Sequence, residues 1–182
     1  LVDQQGQADS HRNMGVIYYS LGEYQRALEH YNVALQIYQD IADKEGQANC
    51  YCETAAIYFN LGDYEQALKY FQNALEMYQS IDNVGGQARA YVGGGGVYYS
   101  RGECQEALKL YQLALLIFVN IDDQAWEAAS YNNIGLVYRS LGEYAQALMY
   151  YEQALKIFQD LNDLPQQATV HNNIGSVYTG LR

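Results

Sequence analysis

Few residues in this sequence have the type and spacing that catalysis requires. There is no HExxH, GxSxG or P-loop pattern, and His11, His30 and His171 include no pair with metal-ligand spacing. We interpret His11 and His171 as packed rings rather than ligands or bases, because both occupy a repeat position that elsewhere holds tyrosine. Acidic residues fall at expected helix caps and on solvated faces, where catalytic carboxylates are rare. The sequence therefore predicts a non-enzymatic protein without metal or cofactor.

The cysteines also favour a structural role over a chemical one. The chain has three cysteines, Cys50, Cys52 and Cys104, which is an odd number, and none of them has CxxC spacing. On a helix, Cys50 and Cys52 point to different sides. Reduced, structural thiols are expected, which suits a cytoplasmic location.

The charge distribution limits the classes of partner. The formal net charge is −11, and nucleic-acid binding needs clustered Lys and Arg. No apolar run approaches the roughly 18 residues that span a bilayer, and no signal peptide opens the chain. The sequence thus predicts neither a nucleic-acid nor a membrane partner, and we interpret the acidity as a solvated surface that keeps the protein soluble.

A 40-residue repeat organises the whole chain. LGEY at Leu21 recurs as LGDY at Leu61, RGEC at Arg101 and LGEY at Leu141. Such self-similarity indicates stacked supersecondary units that bury their apolar faces only against their neighbours. Within each unit, helical periodicity predicts two helices separated by a two-residue break, which forces an antiparallel hairpin. The expected helices are 4–20, 24–41, 44–60, 64–81, 84–100, 104–121, 124–140, 144–161 and 164–180.

These elements predict one all-α domain over residues 1–182. It divides into repeats 2–41, 42–81, 82–121 and 122–161 and a final half repeat, 162–182. An Asp or Asn begins each first helix as an N-cap. Small residues alternate with tyrosines at facing positions, as interlocking helices require. Because the chain opens at Leu1 and the repeat begins and ends within its pattern, we expect a segment of a longer protein.

The pattern resembles the tetratricopeptide repeat (TPR) family. The same pattern recurs in register along the chain: an aromatic residue, an apolar residue followed by glycine, a tyrosine, and two alanines that flank an aromatic residue. In the best copy these are Tyr131, Ile134, Gly135, Tyr138, Ala147, Tyr151 and Ala154. The usual family repeat has 34 residues, so a period of 40 is similar to Pins-type polarity adaptors, kinesin light chains and bacterial signalling proteins. The resemblance implies four and a half repeats in a right-handed α-solenoid.

The resemblance also implies a binding site for peptides or protein segments on the concave side, which first helices line. Spacing selects these groove residues: Arg12, Asn13, Val16, Tyr19, Glu53, Phe59, Arg89, Tyr99, Asn132, Asn133, Leu136, Arg139, Asn172, Asn173 and Ser176. The first-helix segments 8–20, 48–60, 88–100, 128–140 and 168–180 hold two acids and three bases, a charge of +1, so the rest of the chain carries −12. The predicted groove is nearly neutral.

This composition suggests what the groove binds. Asparagine amides both donate and accept, so an asparagine ladder could hold the backbone of an extended peptide. Tyr19, Phe59 and Tyr99 would take apolar side chains, and the arginines would take carboxylates. Alternatively, some asparagines only bridge adjacent helices. No first-helix segment contains a lysine, so the Lys/Asn set by which some family members clamp the carboxy-terminal acids of heat-shock chaperones is not reproduced.

Two further features leave alternatives open. Gly93, Gly94 and Gly96 flank the family glycine Gly95 and weaken their helix by about 0.8–1 kcal/mol each, so this run is a ligand-accessible dip, a soft joint or drift. Exposure of Ile174, Val177 and Tyr178 on the last helix favours a second function, homo-oligomer formation through the solenoid ends. A third is a sensor that closes on a small signalling ligand. The preferred function is a protein-protein interaction module.

Overall fold

The computed structural model describes residues 3–180, and within them every regular element is an α-helix. The helices are α1 (Gln4–Ser20), α2 (Tyr24–Asp40), α3 (Lys44–Asn60), α4 (Tyr64–Ser80), α5 (Val84–Ser100), α6 (Cys104–Asn120), α7 (Gln124–Ser140), α8 (Tyr144–Asp160) and α9 (Leu164–Gly180). The odd-numbered helices are called first helices and the even-numbered ones second helices. The predicted all-α array of hairpins is confirmed.

The first helices begin where the sequence placed their caps. Asp3, Asp43, Asn83, Asp123 and Asp163 each accept a hydrogen bond from the backbone N–H three residues later, over 2.8–3.3 Å. These bonds satisfy amides that have no partner within the helix. Among second helices, Asp63 caps α4 in the same way, whereas Glu23, Glu103 and Glu143 make no side-chain cap bond.

Second helices end one residue earlier than predicted. The last helical residue of α2 is Asp40, and Ile41 is its C-cap. Ala42 then adopts a left-handed conformation, φ 57°, and the Asp43 amide donates to the Tyr38 carbonyl over 2.8 Å. Asp82, Asp122 and Asn162 repeat this conformation at the other junctions. Because a left-handed residue closes the helix, the apolar residue before it lies outside the helix, and Ile41 still packs against the core there.

The chain divides into two compact units, an N-terminal unit that ends at Val97 and a C-terminal unit that begins at Tyr98. The boundary lies within α5. A single domain over the whole chain stays a prediction, and each unit is described by itself.

The N-terminal unit is built on tyrosine rings that cover small residues. A Cβ atom added to Gly15 would collide with the Tyr31 ring, and one added to Gly46 would collide with the Tyr38 ring. Ala27, Ala34, Ala67 and Ala74 on the second helices are fully buried. The predicted alternation of small and large residues is therefore confirmed here.

The C-terminal unit uses the same alternation of small and large residues, except at Gly175. A Cβ atom on Gly135 would lie 2.6 Å from Cε1 of Tyr151, whereas one on Gly175 would meet nothing within 4 Å.

The prediction that Val177 is exposed is wrong, because Val177 is fully buried in the cluster around Tyr151 and Phe158. Ile174 is half-buried against that cluster, and Tyr178 is exposed as expected.

The glycine-rich segment forms a continuous part of α5, as predicted. Gly93 has a packing reason, since a Cβ atom there would collide with the Phe71 ring of α4. A dip for a ligand and a soft joint both stay predictions.

All three cysteines are free thiols, in agreement with the sequence prediction. Burial raises the pKa of Cys50 and of Cys52 to about 12. These two thiols on α3 are therefore poor nucleophiles at neutral pH.

Residues 3–180 hold no candidate membrane span and no candidate metal-binding group. None of the helices there is long and apolar enough to cross a bilayer. Nor do three or more His, Cys, Asp or Glu side chains converge in an arrangement that could hold a metal ion.

Candidate functional site

The first helices present polar side chains that join neighbouring repeats. We call the surface formed by these side chains the first-helix face, and we describe it separately in each unit. The joined side chains lie 41 positions apart, one more than the repeat period: Arg12 with Glu53, Tyr19 with Asn60, Tyr99 with Ser140, and Asn132 with Asn173. Each pair ties one hairpin to the next.

In the N-terminal unit the strongest of these contacts is an ion pair. Arg12 donates from Nε to Oε1 of Glu53 over 2.9 Å, and a terminal guanidinium nitrogen lies 2.8 Å from the same oxygen. Burial raises the pKa of Glu53, and the neighbouring Arg12 offsets this effect only in part. Glu53 of the same chain thus uses part of the Arg12 guanidinium, and binding of a ligand carboxylate by Arg12 stays a prediction.

A hollow of about 240 Å³ lies on the same face, lined by Val16, Tyr19, Tyr31, Glu53 and Ala56. Oε2 of Glu53 is buried and has no hydrogen-bond partner within the described residues. Spacing selected Val16, Tyr19 and Glu53 as groove residues, and the structure brings these three together. Sequence reasoning did not assign Tyr31, which comes from α2, to this site.

The remaining predicted residues of the N-terminal unit are more loosely placed. Asn13 and Arg89 are exposed. Phe59 is half-buried beside Tyr64, with ring centroids 6.0 Å apart. They lie on three different first helices, α1, α5 and α3.

In the C-terminal unit the contacts between first helices are neutral. The Asn173 side chain donates to the Asn132 amide oxygen over 2.8 Å, so the alternative that asparagines bridge helices is realised for this pair. Asn133 is half-buried and Asn172 is exposed. Each amide has two donors and one acceptor oxygen with two lone pairs, so capacity for a ligand remains.

The other predicted residues of this unit differ in availability. Leu136 packs against the core cluster and is only half-buried. Arg139 is half-buried in the last turn of α7. Tyr99 shares a 2.9 Å hydrogen bond with Ser140, and the Ser176 hydroxyl donates to the Asn172 carbonyl of its own helix over 2.9 Å. Ser176 is thus partly committed to its own backbone.

The histidines mostly behave as packed rings. Nδ1 of His11 lies 3.0 Å from Nδ1 of His30, and His30 stacks on Tyr18 with centroids 5.2 Å apart. The equivalent rings in the second and fourth hairpins are the tyrosine pairs Tyr51–Tyr70 and Tyr131–Tyr150. His171 is exposed, so the prediction of a packed ring is wrong there.

Sequence reasoning missed an apolar stripe on α6. Leu113, Leu116 and Val119 are 45%, 60% and 47% exposed, at positions where α4 has Asn73, Glu76 and Gln79. The signal was available from an alignment of the repeats. The outward surface of the second helices is therefore not acidic throughout.

The geometry described so far defines a helical-hairpin repeat protein, and comparison with known proteins assigns its family. The tetratricopeptide repeat family model matches residues 6–80, 86–160 and 126–182. The chain therefore belongs to the tetratricopeptide repeat family. No curated protein matches it at a significant level.

Several solved structures resemble the chain. BtubC from P. vanneervenii is 26% identical with a TM-score of 0.77, over 89% of this chain and 67% of BtubC. Aspartyl phosphate phosphatase F from Bacillus subtilis is 18% identical with a TM-score of 0.85, over 100% of this chain and 51% of the phosphatase.

A STAND protein with a tetratricopeptide repeat sensor, from Pyrococcus horikoshii, is 20% identical with a TM-score of 0.84, over 98% of this chain and 28% of the STAND protein. This chain therefore spans about half of the phosphatase and less of the STAND protein. At these identities the last two similarities establish the fold alone. Because one of these proteins is named a phosphatase, the non-enzymatic prediction stays a prediction.

Proposed function

We propose that this protein is a non-enzymatic interaction module that binds an extended peptide segment of a partner along its first-helix face. The observation that carries the proposal is the set of asparagines in the C-terminal unit. Asn132 and Asn173 use one donor and one acceptor on each other, which leaves amide capacity that matches the N–H and C=O groups of a peptide backbone. Asn133 and Asn172 add two further amides on the same helices.

Two further points support this proposal. The chain belongs to the tetratricopeptide repeat family, whose resemblance implies binding of peptides or protein segments, and a Rap protein with the same fold was solved in complex with competence and sporulation factor. That protein is 20% identical, with a TM-score of 0.83 over 98% of this chain and 50% of the Rap protein. The first-helix segments also carry little net charge, so affinity would come from hydrogen bonds and aromatic contacts.

The test compares two triple variants with matched chemistry. N132A/N133A/R139A removes two amides and one cation from the first-helix face. Q153A/K156A/Q159A removes two amides and one cation from exposed positions on α8. Peptides selected from a random displayed library on the wild-type chain are then titrated by fluorescence polarisation. We expect the first variant to weaken binding about tenfold or more and the second to leave it unchanged.

Circular dichroism and urea denaturation establish that both variants remain folded. Equal affinity of the selected peptides for both triple variants would overturn the proposal.

A second candidate function, self-association, is favoured by the exposed stripe of Leu113, Leu116 and Val119. Large exposed apolar side chains at helical spacing are typical of surfaces that another helix covers. The burial of Val177 makes the end of the array a smaller apolar surface than the sequence predicted. Light scattering over a concentration series tests association, and the L116K variant shows whether α6 mediates it.

A further inference from the structure

The hollow beside Glu53 is small and mostly apolar. It lies on the first-helix face of the N-terminal unit and has a volume of about 240 Å³. Pockets for drug-sized ligands occupy roughly 300–1,000 Å³, so this one suits a single large side chain. Val16, Ala56 and the rings of Tyr19 and Tyr31 supply its apolar walls.

One polar group in the hollow has an unused acceptor. The hydrogen bond from Nε of Arg12 and the short ion-pair contact of its terminal nitrogen both involve Oε1 of Glu53. Oε2 is buried and has no partner among the described residues. A buried polar atom without a hydrogen bond is destabilising, and native structures rarely leave one. Because Glu53 lines the hollow, a molecule bound there could donate to Oε2.

Charge selects the kind of donor. Arg12 already balances the charge of Glu53, so a neutral N–H or O–H group would complete the site without adding net charge. An ammonium group would bring a third charge out of water against apolar walls, which is costly. The two tyrosine rings at the walls favour an aromatic body, since aromatic pairs gain energy beyond the area that they bury.

We infer that the hollow binds an aromatic side chain with a neutral donor, a tryptophan indole or a tyrosine phenol, of an extended peptide. The donor hydrogen-bonds to Oε2 of Glu53 and the ring packs against Tyr19 and Tyr31. This inference rests on the proposed function, because the side chain belongs to the peptide bound on the first-helix face.

The carboxylate in the hollow is specific to one repeat. The positions equivalent to Glu53 in the other repeats are Asn13, Gly93, Asn133 and Asn173, and none of them is acidic. A peptide with one tryptophan or tyrosine would therefore be held in a single register on the first helices of the N-terminal unit.

The test uses three small probes on the whole chain, indole, 1-methylindole and butylamine. 1-Methylindole has nearly the same shape as indole but lacks the N–H donor, and butylamine supplies a cation. We expect indole to shift the backbone amide resonances of Val16, Tyr19, Glu53 and Ala56 and to bind about tenfold more tightly than 1-methylindole.

Two variants and a control locate the effect. E53Q replaces the free acceptor with an amide group, and we expect it to abolish the preference for indole over 1-methylindole. A56L fills the hollow and should prevent both from binding. E45Q, on an exposed carboxylate of the same helix that accepts from Asn83, should preserve the preference.

Equal binding of indole and 1-methylindole, or tighter binding of butylamine, would overturn the inference. So would an absence of shifts at these four residues, which would leave water as the occupant of the hollow.

The selected peptides separate this inference from the proposed function. Replacement of their tryptophan or tyrosine by phenylalanine should weaken binding about tenfold to the wild-type chain and not to E53Q. If the N132A/N133A/R139A variant binds peptides normally while indole still requires Glu53, the proposed function fails and the hollow remains a donor-selective site.

Discussion

The N-terminal and C-terminal units place different aromatic residues at the same repeat position. In the N-terminal unit Tyr78 covers Gly86, and its hydroxyl donates to the Asn49 side chain over 2.6 Å. In the C-terminal unit Phe118 stacks on Trp126 with centroids 5.6 Å apart and an interplanar angle of 17°. The Tyr78–Gly86 pair of the N-terminal unit thus occupies the same repeat positions as the Phe118–Trp126 pair of the C-terminal unit. Packing between hairpins depends on the pair of residues and not on either one alone.

The first-helix faces differ in the same manner. The N-terminal unit joins α1 to α3 through the charged pair Arg12–Glu53, and the C-terminal unit joins α7 to α9 through the neutral pair Asn132–Asn173. Both pairs span 41 positions, so the backbone arrangement is shared while the chemistry varies. This difference teaches that one repeat scaffold can offer a different ligand chemistry in each hairpin.

The largest expected effect concerns the core that both units share. Gly15→Ala and Gly135→Ala should each lower the free energy of unfolding by about 1–3 kcal/mol, because the new methyl group overlaps Tyr31 or Tyr151. Gly175 occupies the same repeat position with open space around it, so Gly175→Ala should stabilise α9 by up to about 1 kcal/mol through helix propensity. Urea denaturation measures all three. A change of the same sign in G135A and G175A would contradict the role of the covering ring.

A smaller effect distinguishes the two units. Tyr78→Phe should lower the free energy of unfolding by about 0.5–1.5 kcal/mol, since it removes the hydrogen bond to Asn49 and retains the ring. The reverse change in the C-terminal unit, Phe158→Tyr, should give no gain, because the residue equivalent to Asn49 is Ala129, which has no acceptor side chain. Denaturation of both variants checks this, and a stabilising F158Y would break the distinction between the units.

The smallest effect is a pH dependence confined to the N-terminal unit. The pKa of Glu53 is raised above the usual 4.5. At pH values between its pKa in the unfolded state and its pKa in the folded state, the folded protein therefore binds more protons than the unfolded protein. The contribution of Glu53 to stability is complete below the unfolded-state pKa and is lost as pH rises through the folded-state pKa. We expect the stability of wild type relative to E53Q to decline over that range.

Free energies of unfolding at intervals between about pH 4 and pH 7 measure this decline. The N132A variant in the C-terminal unit should give a difference that does not depend on pH, because the asparagine pair does not titrate. A wild-type advantage over E53Q that grows with pH would mean that Arg12 outweighs burial at Glu53.

The sequence predicted the fold closely because its signals are local and repeated. The Asp or Asn caps and the glycines at the hairpin turns recur from repeat to repeat, so every predicted helix start agrees with the structure. Second helices were one residue too long because Ile41 and its equivalents continue the apolar periodicity, while the left-handed residue after each of them is Ala, Asp or Asn and never glycine. Ala42 is the clearest case, since alanine gives no sequence signal for a positive φ.

The candidate site was less accessible to sequence reasoning. A 40-residue period identifies equivalent positions, but contacts between first helices join residues 41 apart, an offset that depends on how hairpins shift against each other. Arg12 and Glu53 were both selected without any indication that they pair. The hollow needed Tyr31 from a second helix, and no spacing within a first helix could include it.

The thiols of Cys50, which is buried, and Cys52, which is half-buried, can report how often the repeats of the N-terminal unit open. With the pKa of Cys50 and Cys52 raised to about 12, both thiols are almost entirely protonated at pH 7. An alkylating reagent will therefore modify these cysteines chiefly when α3 separates from its neighbours and the thiols regain ordinary acidity. The rate of their modification would report how often this part of the array opens, without any added label.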